Sequence, residues 1–274
     1  HLAALEAVGK ELDLCVTLFI EGEEEVGSPT FRDFLDTYGD RLAADVIVVA
    51  DSNSWEVGTP SLTTSLRGVC TVGVTLDVLD HAVHSGMFGG VVLDAVTLMA
   101  RLISTLHDDA GAVAVPGLLA FDETTADYRE DDVRADAGVL PGVELAGTGS
   151  IASRMWTKPS LSVIGMDVTS YEKSSNTLIP SCRARLSLRV APGQDPREAA
   201  DALVAHLMNN VPFGARVSAQ VEEAGSSFKA EGDGPATQAA HWALEQAWGA
   251  TPVDIGVGGS IPFIADFAEI FPQA

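Results

Sequence analysis

Residues 182–190, Cys-Arg-Ala-Arg-Leu-Ser-Leu-Arg-Val, alternate apolar and polar side chains without a break. A period of two places Cys182, Ala184, Leu186, Leu188 and Val190 on one side of a strand and Arg183, Arg185, Ser187 and Arg189 on the other. Working outward from this strand, Val69–Val78 alternates in the same way, 89–106 repeats apolar residues at helical spacing, and Leu161–Val168 reads as a strand. Downstream, Pro196–Met208 has the pattern of an amphipathic helix and Ala215–Val221 alternates again. The resulting order β-α-β-β-α-β is the ferredoxin-like split motif. An acidic, glycine-containing stretch, 122–149, interrupts the motif between its first helix and second strand, and irregular or short-helical structure is expected there.

The flanks carry a different pattern. Leu14–Ile20 (Leu-Cys-Val-Thr-Leu-Phe-Ile) is dense in β-branched and aromatic residues and has the length of a buried strand. It runs into Glu-Gly-Glu-Glu-Glu-Val-Gly-Ser at 21–28, where carboxylates crowd together. Such crowding is unfavourable unless a cation neutralises it, which points to a divalent metal with one carboxylate left over as a base. An acid run is also what a solvated loop or a first helical turn looks like. A second apolar run, Asp45–Ala50, ends at Asp51-Ser52-Asn53, so Asp51 reads either as a ligand or as a turn or helix cap. Both acids would then sit at strand C-terminal ends, where open α/β sheets place their ligands.

Composition bounds the partners. The 274 residues hold 39 acidic and 16 basic side chains, a formal charge of −23, which repels nucleic acid and anionic membranes. A 46% hydrophobic content provides for a sizeable core in two domains. No apolar run has the length of a membrane span. Cys15, Cys70 and Cys182 lie in apolar runs without metal-type spacing and read as buried free thiols of a reducing, cytoplasmic compartment. His1–Glu11 looks like the body of an amphipathic helix that lacks a cap, and the chain reads as cut at both ends.

Several segments occur in a telling order: 21–28, Val-Val-Ala-Asp-Ser (48–52), Leu-Arg-Gly (66–68), His-Ser-Gly-Met-Phe-Gly-Gly (84–90), Asn-Thr-Leu-Ile-Pro (176–180), Leu-Arg-Val-Ala-Pro-Gly (188–193) and Gly-Gly-Ser-Ile-Pro (258–262). In this order the chain resembles the zinc metallopeptidase family of carnosinase-like dipeptidases, acetylornithine deacetylase, succinyl-diaminopimelate desuccinylase and glutamate carboxypeptidase, with the dipeptidase branch most similar. The resemblance implies an α/β fold: a partial zinc-peptidase-like catalytic domain at 1–64 and 228–274, with a ferredoxin-like α+β lid or dimerisation domain inserted at 65–227.

It also implies hydrolysis of dipeptides or short peptides by water activated between two zinc ions, in a homodimer joined through the lid. Matched residue by residue, Glu24 is the general base, and Glu25 and Asp51 are zinc ligands. Glu23 falls at a variable, solvent-facing position, and Glu21 is ambiguous. His84 corresponds to a lid histidine that stabilises the oxyanion in the partner subunit's site. Without the motif, His84 would read as a turn or capping histidine, and His81 is read as structural. Arg189 corresponds to the arginine that grips the substrate's C-terminal carboxylate, whereas Arg183 and Arg185 read as a solvated sheet face. Gly259 and Ser260 offer a backbone N–H and a hydroxyl to the same group, and Thr177 is a further substrate contact.

The family's His-x-Asp motif and bridging Asp are expected before His1, and its last zinc-binding His after 258–262, so this chain is expected to bind metal poorly. His107-Asp108-Asp109 mimics His-x-Asp but reads as an exposed helix end. Two alternatives stand beside the dipeptidase reading: an N-acyl amino acid deacylase, and a non-catalytic dimerisation or binding module.

Overall fold

The alternating decapeptide 181–190 becomes an inner strand of a four-stranded sheet in the structure, a computed structural model that describes residues 7, 9, 14–230, 232 and 234–274. The chain divides into two compact units, 1–48 with 262–274, and 49–261.

The strands described lie in the second unit: β1 (Ser61–Leu66), β2 (Gly68–Asp77), β3 (Val83–His84), β4 (Ser160–Asp167), β5 (Thr177–Leu178), β6 (Ser181–Val190), β7 (Arg216–Gly225), β8 (Phe228–Lys229) and β9 (Val253–Val257). The main sheet has the order β4-β6-β2-β7 and is antiparallel throughout. With helices Ala95–Ser104 and Pro196–Asn209 following its first and third strands, this is the ferredoxin-like split motif anticipated from the spacing. Register follows from burial: Val72 pairs with Leu186 and Cys70 with Leu188, so the apolar sets of β2 and β6 share one face. That face packs on Leu98, Met99 and Leu102 of one helix and Leu203 and Leu207 of the other, giving a core closed to water. Both helices start on aspartate caps: Asp94 Oδ1 accepts from Thr97 N at 2.9 Å, and Asp195 Oδ1 accepts from Arg197 N at 2.7 Å.

A second, smaller sheet has the order β8-β1-β9, with β1 and β9 parallel from Ser61↔Val253 to Leu66↔Val257. Beneath it Trp55, Tyr128 and Trp156 cluster, with ring centroids 4.7–6.0 Å apart, against buried Ala152 and Ile255. Segment 122–149 is mostly irregular, with one short helix, Glu130–Asp136. It is tied down where Asp127 Oδ1 accepts from Ala152 N at 2.8 Å and Lys158 Nζ meets Asp122 Oδ1 at 2.5 Å. Gly149 lies between those two side chains with φ +91°, where a Cβ would come within 2.8 Å of both.

In the first unit, helices Phe31–Tyr38 and Pro262–Ile270 pack through Phe31, Phe263 and Phe267, and Phe19 joins them, 5.2 Å from Phe34. Arg32 pairs with Glu269 at 3.0 Å and Asp266 at 3.3 Å on the exposed side. Here the two flanking runs depart from expectation. Neither Leu14–Ile20 nor Asp45–Ala50 forms a strand, and Leu14, Leu18, Ile20 and Val48 are 73–90% exposed. A continuous apolar run becomes a buried strand only where neighbours cover both faces and supply ladder hydrogen bonds. In this unit, the described residues cover Phe19 and leave its neighbours in water. Cys15, expected to be buried, is therefore exposed, whereas Cys70 and Cys182 are buried. Except for residues 7 and 9, the helix expected at His1–Glu11 lies outside the described residues.

Candidate functional site

The acid cluster folds as a turn. Glu24–Val26 make a single 3-10 turn closed by Gly27 at φ 85°, a conformation suited to glycine. Glu24 is half-buried and Glu25 exposed. Glu23, expected to face solvent, instead holds the entry to helix Phe31–Tyr38: its Oε2 accepts from Thr30 Oγ1 at 2.6 Å and from Thr30 N at 3.4 Å. Thr30 offers that helix no side-chain cap of its own, so the carboxylate two turns back anchors the residue instead. Glu21 Oε1 accepts from Glu23 N at 2.8 Å, and its Oε2 is buried with no hydrogen-bond partner.

Asp51 lies in the second unit and is exposed. No set of three or more His, Cys, Asp or Glu side chains capable of holding a metal gathers among the described residues. Glu25 and Asp51 also offer carboxylates only, whereas zinc sites are built largely on histidine and cysteine. The residues present do not by themselves fit a zinc centre.

His84 and Thr177 come together across a short antiparallel ribbon: β3 and β5 pair Val83↔Leu178 and His84↔Thr177, placing both side chains on one face. Both are exposed, and the Thr177 hydroxyl lies 2.8 Å from that of Ser175. His84 Nδ1 accepts from Gly86 N at 3.0 Å. An Nδ1 that accepts a hydrogen bond carries no proton, so the neutral ring has its N–H at Nε2 and presents a donor outward. A Cβ at Gly86 would sit 3.1–3.2 Å from Cε1 and Nδ1 of the ring, so the exposed imidazole would have to shift by a few tenths of an ångström.

A second group forms where β1 and β9 end side by side. Arg189, on the polar face of β6, reaches Ser260 Oγ from Nη1 at 3.4 Å, across a sequence separation of 71. Ser260 and Gly259 follow β9, and Gly259 has room around it, with only Val257 Cγ1 within reach of a Cβ, at 3.8 Å. The three arginines of this face differ in their balance. Arg185 and Arg183 share one carboxylate, Glu222, at 2.6 Å and 3.4 Å, whereas Arg189 has no carboxylate partner among the described residues. Alternation alone puts all three on one face; the position of Glu222 on β7 separates them. Among the described residues no hydrogen bond joins the His84–Thr177 ribbon to the Arg189–Ser260 group.

The sequence reading missed Arg67, which lies between β1 and β2 and is only 9% exposed. Its Nε donates to Gly258 O at 3.2 Å, and its Nη1 to Ser160 Oγ at 3.0 Å and Lys158 O at 3.3 Å. Burial, and then the charge of Arg189, push its pKa down to about 10. The signals in the sequence were the Leu-Arg-Gly segment at 66–68, to which no role was assigned, and an arginine set in an otherwise uncharged run between strand patterns. His107, expected at an exposed helix end, instead lies beyond helix Ala95–Ser104 in a bridge to Val113 and is half-buried, with Asp108 closing the turn through Ala110 N and Ala112 N.

Comparison with known proteins places these groups in context. The chain is 33% identical over 281 residues to a cysteinylglycine-S-conjugate dipeptidase of Corynebacterium striatum, covering 100% of this chain and 62% of that one. It is 25% identical to a Cys-Gly metallodipeptidase of Schizosaccharomyces pombe, covering 98% and 60% respectively. It superposes on human carnosine dipeptidase 1 with a TM-score of 0.77 at 24% identity, over 98% of this chain and 60% of that chain, a likeness of fold. The chain thus spans about 60% of the length of these relatives. Residues 64–214, which hold strands β2, β4 and β6 of the ferredoxin-like sheet and both of its helices, match the peptidase dimerisation domain, and the chain belongs to that M20 family.

Proposed function

We propose that this chain is the carboxylate-recognising and dimerising part of a metal-dependent dipeptidase that cleaves short peptides with a free C-terminus. The observation that carries the reading is Arg189: a cation without a carboxylate partner among the described residues, on a sheet face where Arg183 and Arg185 share Glu222, and 3.4 Å from the Ser260 hydroxyl. A guanidinium can hold a carboxylate through two parallel hydrogen bonds, and a hydroxyl with backbone donors satisfies the remaining lone pairs. The names of the relatives, dipeptidases of Cys-Gly and related peptides, support the same substrate class.

In this reading Glu24 takes a proton from the attacking water. His84 donates from Nε2 to the oxygen of the scissile carbonyl as negative charge develops there, and Thr177 flanks it. Glu25 and Asp51 are each offered as a carboxylate ligand of a different one of two divalent metals, zinc by the family resemblance, whose remaining ligands the described residues do not gather. No step is derived through either metal.

Assembly is proposed as a homodimer through the lid, 65–227, with β4 as the contacting edge. Of the two sheet edges, β4 exposes Val163, Ile164 and Met166, whereas β7 carries Arg216, Gln220, Glu222 and Glu223. An apolar unpaired edge is what a second copy covers in an isologous contact. His84 would then act on the neighbouring subunit's site. No helix described is long and apolar enough to cross a membrane. Three free thiols support a reducing, cytoplasmic setting.

The test is a substrate panel on the metal-loaded full-length protein: dipeptides, their C-terminal amides, and N-acetyl and N-succinyl amino acids. Turnover of dipeptides with rejection of amides, and loss of that discrimination in Arg189→Met, is expected. Preferential hydrolysis of the N-acyl amino acids would replace the dipeptidase reading with a deacylase.

A further inference from the structure

We infer that Arg67 is a positioning residue of the carboxylate site: a buried, uncompensated cation that fixes the Gly258–Ser260 turn and supplies a second positive charge beside Arg189. The inference rests on the carboxylate reading of Arg189 and deepens it.

Three observations support it. First, Arg67 binds both sides of the site. Its backbone N donates to Val257 O at 3.2 Å and its Nε to Gly258 O at 3.2 Å, so the residues leading into Gly259 and Ser260 are held from the end of β1. Its Nη1 donates to the hydroxyl of Ser160, which stands directly opposite Arg189 across the β4–β6 pair. Arg189 in turn reaches Ser260, which closes a ring of contacts around the proposed anion position.

Second, the ring has no negative charge. The acceptors around Arg67 are carbonyl oxygens and a hydroxyl, and among the described residues no carboxylate pairs with either arginine. Burying one cation beside another without an anion is unfavourable. A structural strut alone would be served as well by a neutral donor. The arrangement becomes favourable when a ligand carboxylate enters, because it then faces two charges in a partly desolvated site.

Third, the fit leaves no slack. A Cβ on Gly258 would lie 2.7 Å from Arg67 Nη2 and 3.0 Å from Met155 O, so the turn can lie against the guanidinium only with glycine at this position. Moving Arg67 would release the turn that carries Gly259 and Ser260.

The experiment measures binding of alanylalanine and of its C-terminal amide to this 274-residue chain by calorimetry, in the unsubstituted protein and in Arg189→Met, Arg67→Met, Arg67→Lys and Ser160→Ala. The unsubstituted chain is expected to prefer the free acid, and Arg189→Met to abolish the preference. Arg67→Met is expected to reduce the preference about tenfold while leaving affinity for the amide unchanged, and Arg67→Lys, which keeps the charge but not the fork, to restore part of it. Ser160→Ala, which loosens the guanidinium without removing it, should reduce the preference about two- to threefold and serves as the test if Arg67→Met does not fold. If peptide and amide affinities fall equally at Arg67, or neither falls, Arg67 is a strut and the inference is overturned while Arg189 stands. No preference in the unsubstituted chain, or an unaltered preference in Arg189→Met, overturns the carboxylate reading itself and this inference with it.

Discussion

Leu186→Ala tests the core that carries the site. Leu186 is fully buried on an inner strand, opposite Val72 of β2 and Val163 of β4, in the cluster shared with Leu98, Leu102 and Leu203. Removing a buried leucine side chain forfeits about 1.5–3 kcal/mol of transfer free energy, and the cavity left behind adds to this. Hydrogen-bonded strands on both sides and helices above restrict collapse, so a loss near the upper half of the range for such substitutions, about 3–4 kcal/mol, is expected. Urea unfolding followed by circular dichroism should show the midpoint falling by roughly 1.5–2 M at an m-value of about 2 kcal/mol/M, with m unchanged. Arg185→Ala, one residue along on the opposite face and paired with exposed-side Glu222 at 2.6 Å, should cost less than about 1 kcal/mol. A loss below about 1 kcal/mol for Leu186→Ala, or equal losses for the two variants, would refute the face assignment on which the position of Arg189 depends.

Three further outcomes are expected. Burial raises the Cys70 thiol from 9.0 to about 11; between those values the unfolded chain has released a proton that the folded chain keeps, so stability is full below pH 9 and falls by about 2 kcal/mol as pH rises to 11. Cys70→Ala should flatten that fall, read as urea midpoints across the window under reductant. Gly256→Ala places a Cβ 2.6 Å from Trp156 Cβ and 2.9 Å from Ser65 Oγ, so it should cost about 1–3 kcal/mol and blue-shift or quench the Trp156 emission differently from the parent. Mixing full-length, metal-loaded His84→Ala with full-length, metal-loaded Glu24→Gln should restore activity that neither has alone, if His84 serves the neighbouring subunit; proven subunit exchange without recovery sinks that arrangement.

Much of the fold was legible because it is written in periods. The alternation of Cys182–Val190, the helical spacing of Pro196–Met208 and the order of the six elements specify the ferredoxin-like unit, since each local pattern has one way to bury its apolar face against the others. The motif segments likewise identified the family, and two of the residues they single out, Arg189 and Ser260, come within 3.4 Å of each other.

What periodicity does not carry is whether a partner is present. Leu14–Ile20 and Asp45–Ala50 read as buried strands because apolar composition reports what a segment requires, and in the first unit the described residues do not supply the neighbours that would satisfy it. Glu23 looked solvent-facing until the turn at Gly27 brought it to Thr30, seven residues on. The distinction between Arg189 and its two companions, and the existence of Arg67 as a second cation, came only from the tertiary structure. The parallel pairing of β1 with β9 joins residues 191 or 192 apart, and charge balance there depends on which carboxylate the fold delivers to which arginine. Sequence sets the faces by local sterics and hydrophobicity; long-range packing decides which charges on those faces are left for a ligand to satisfy.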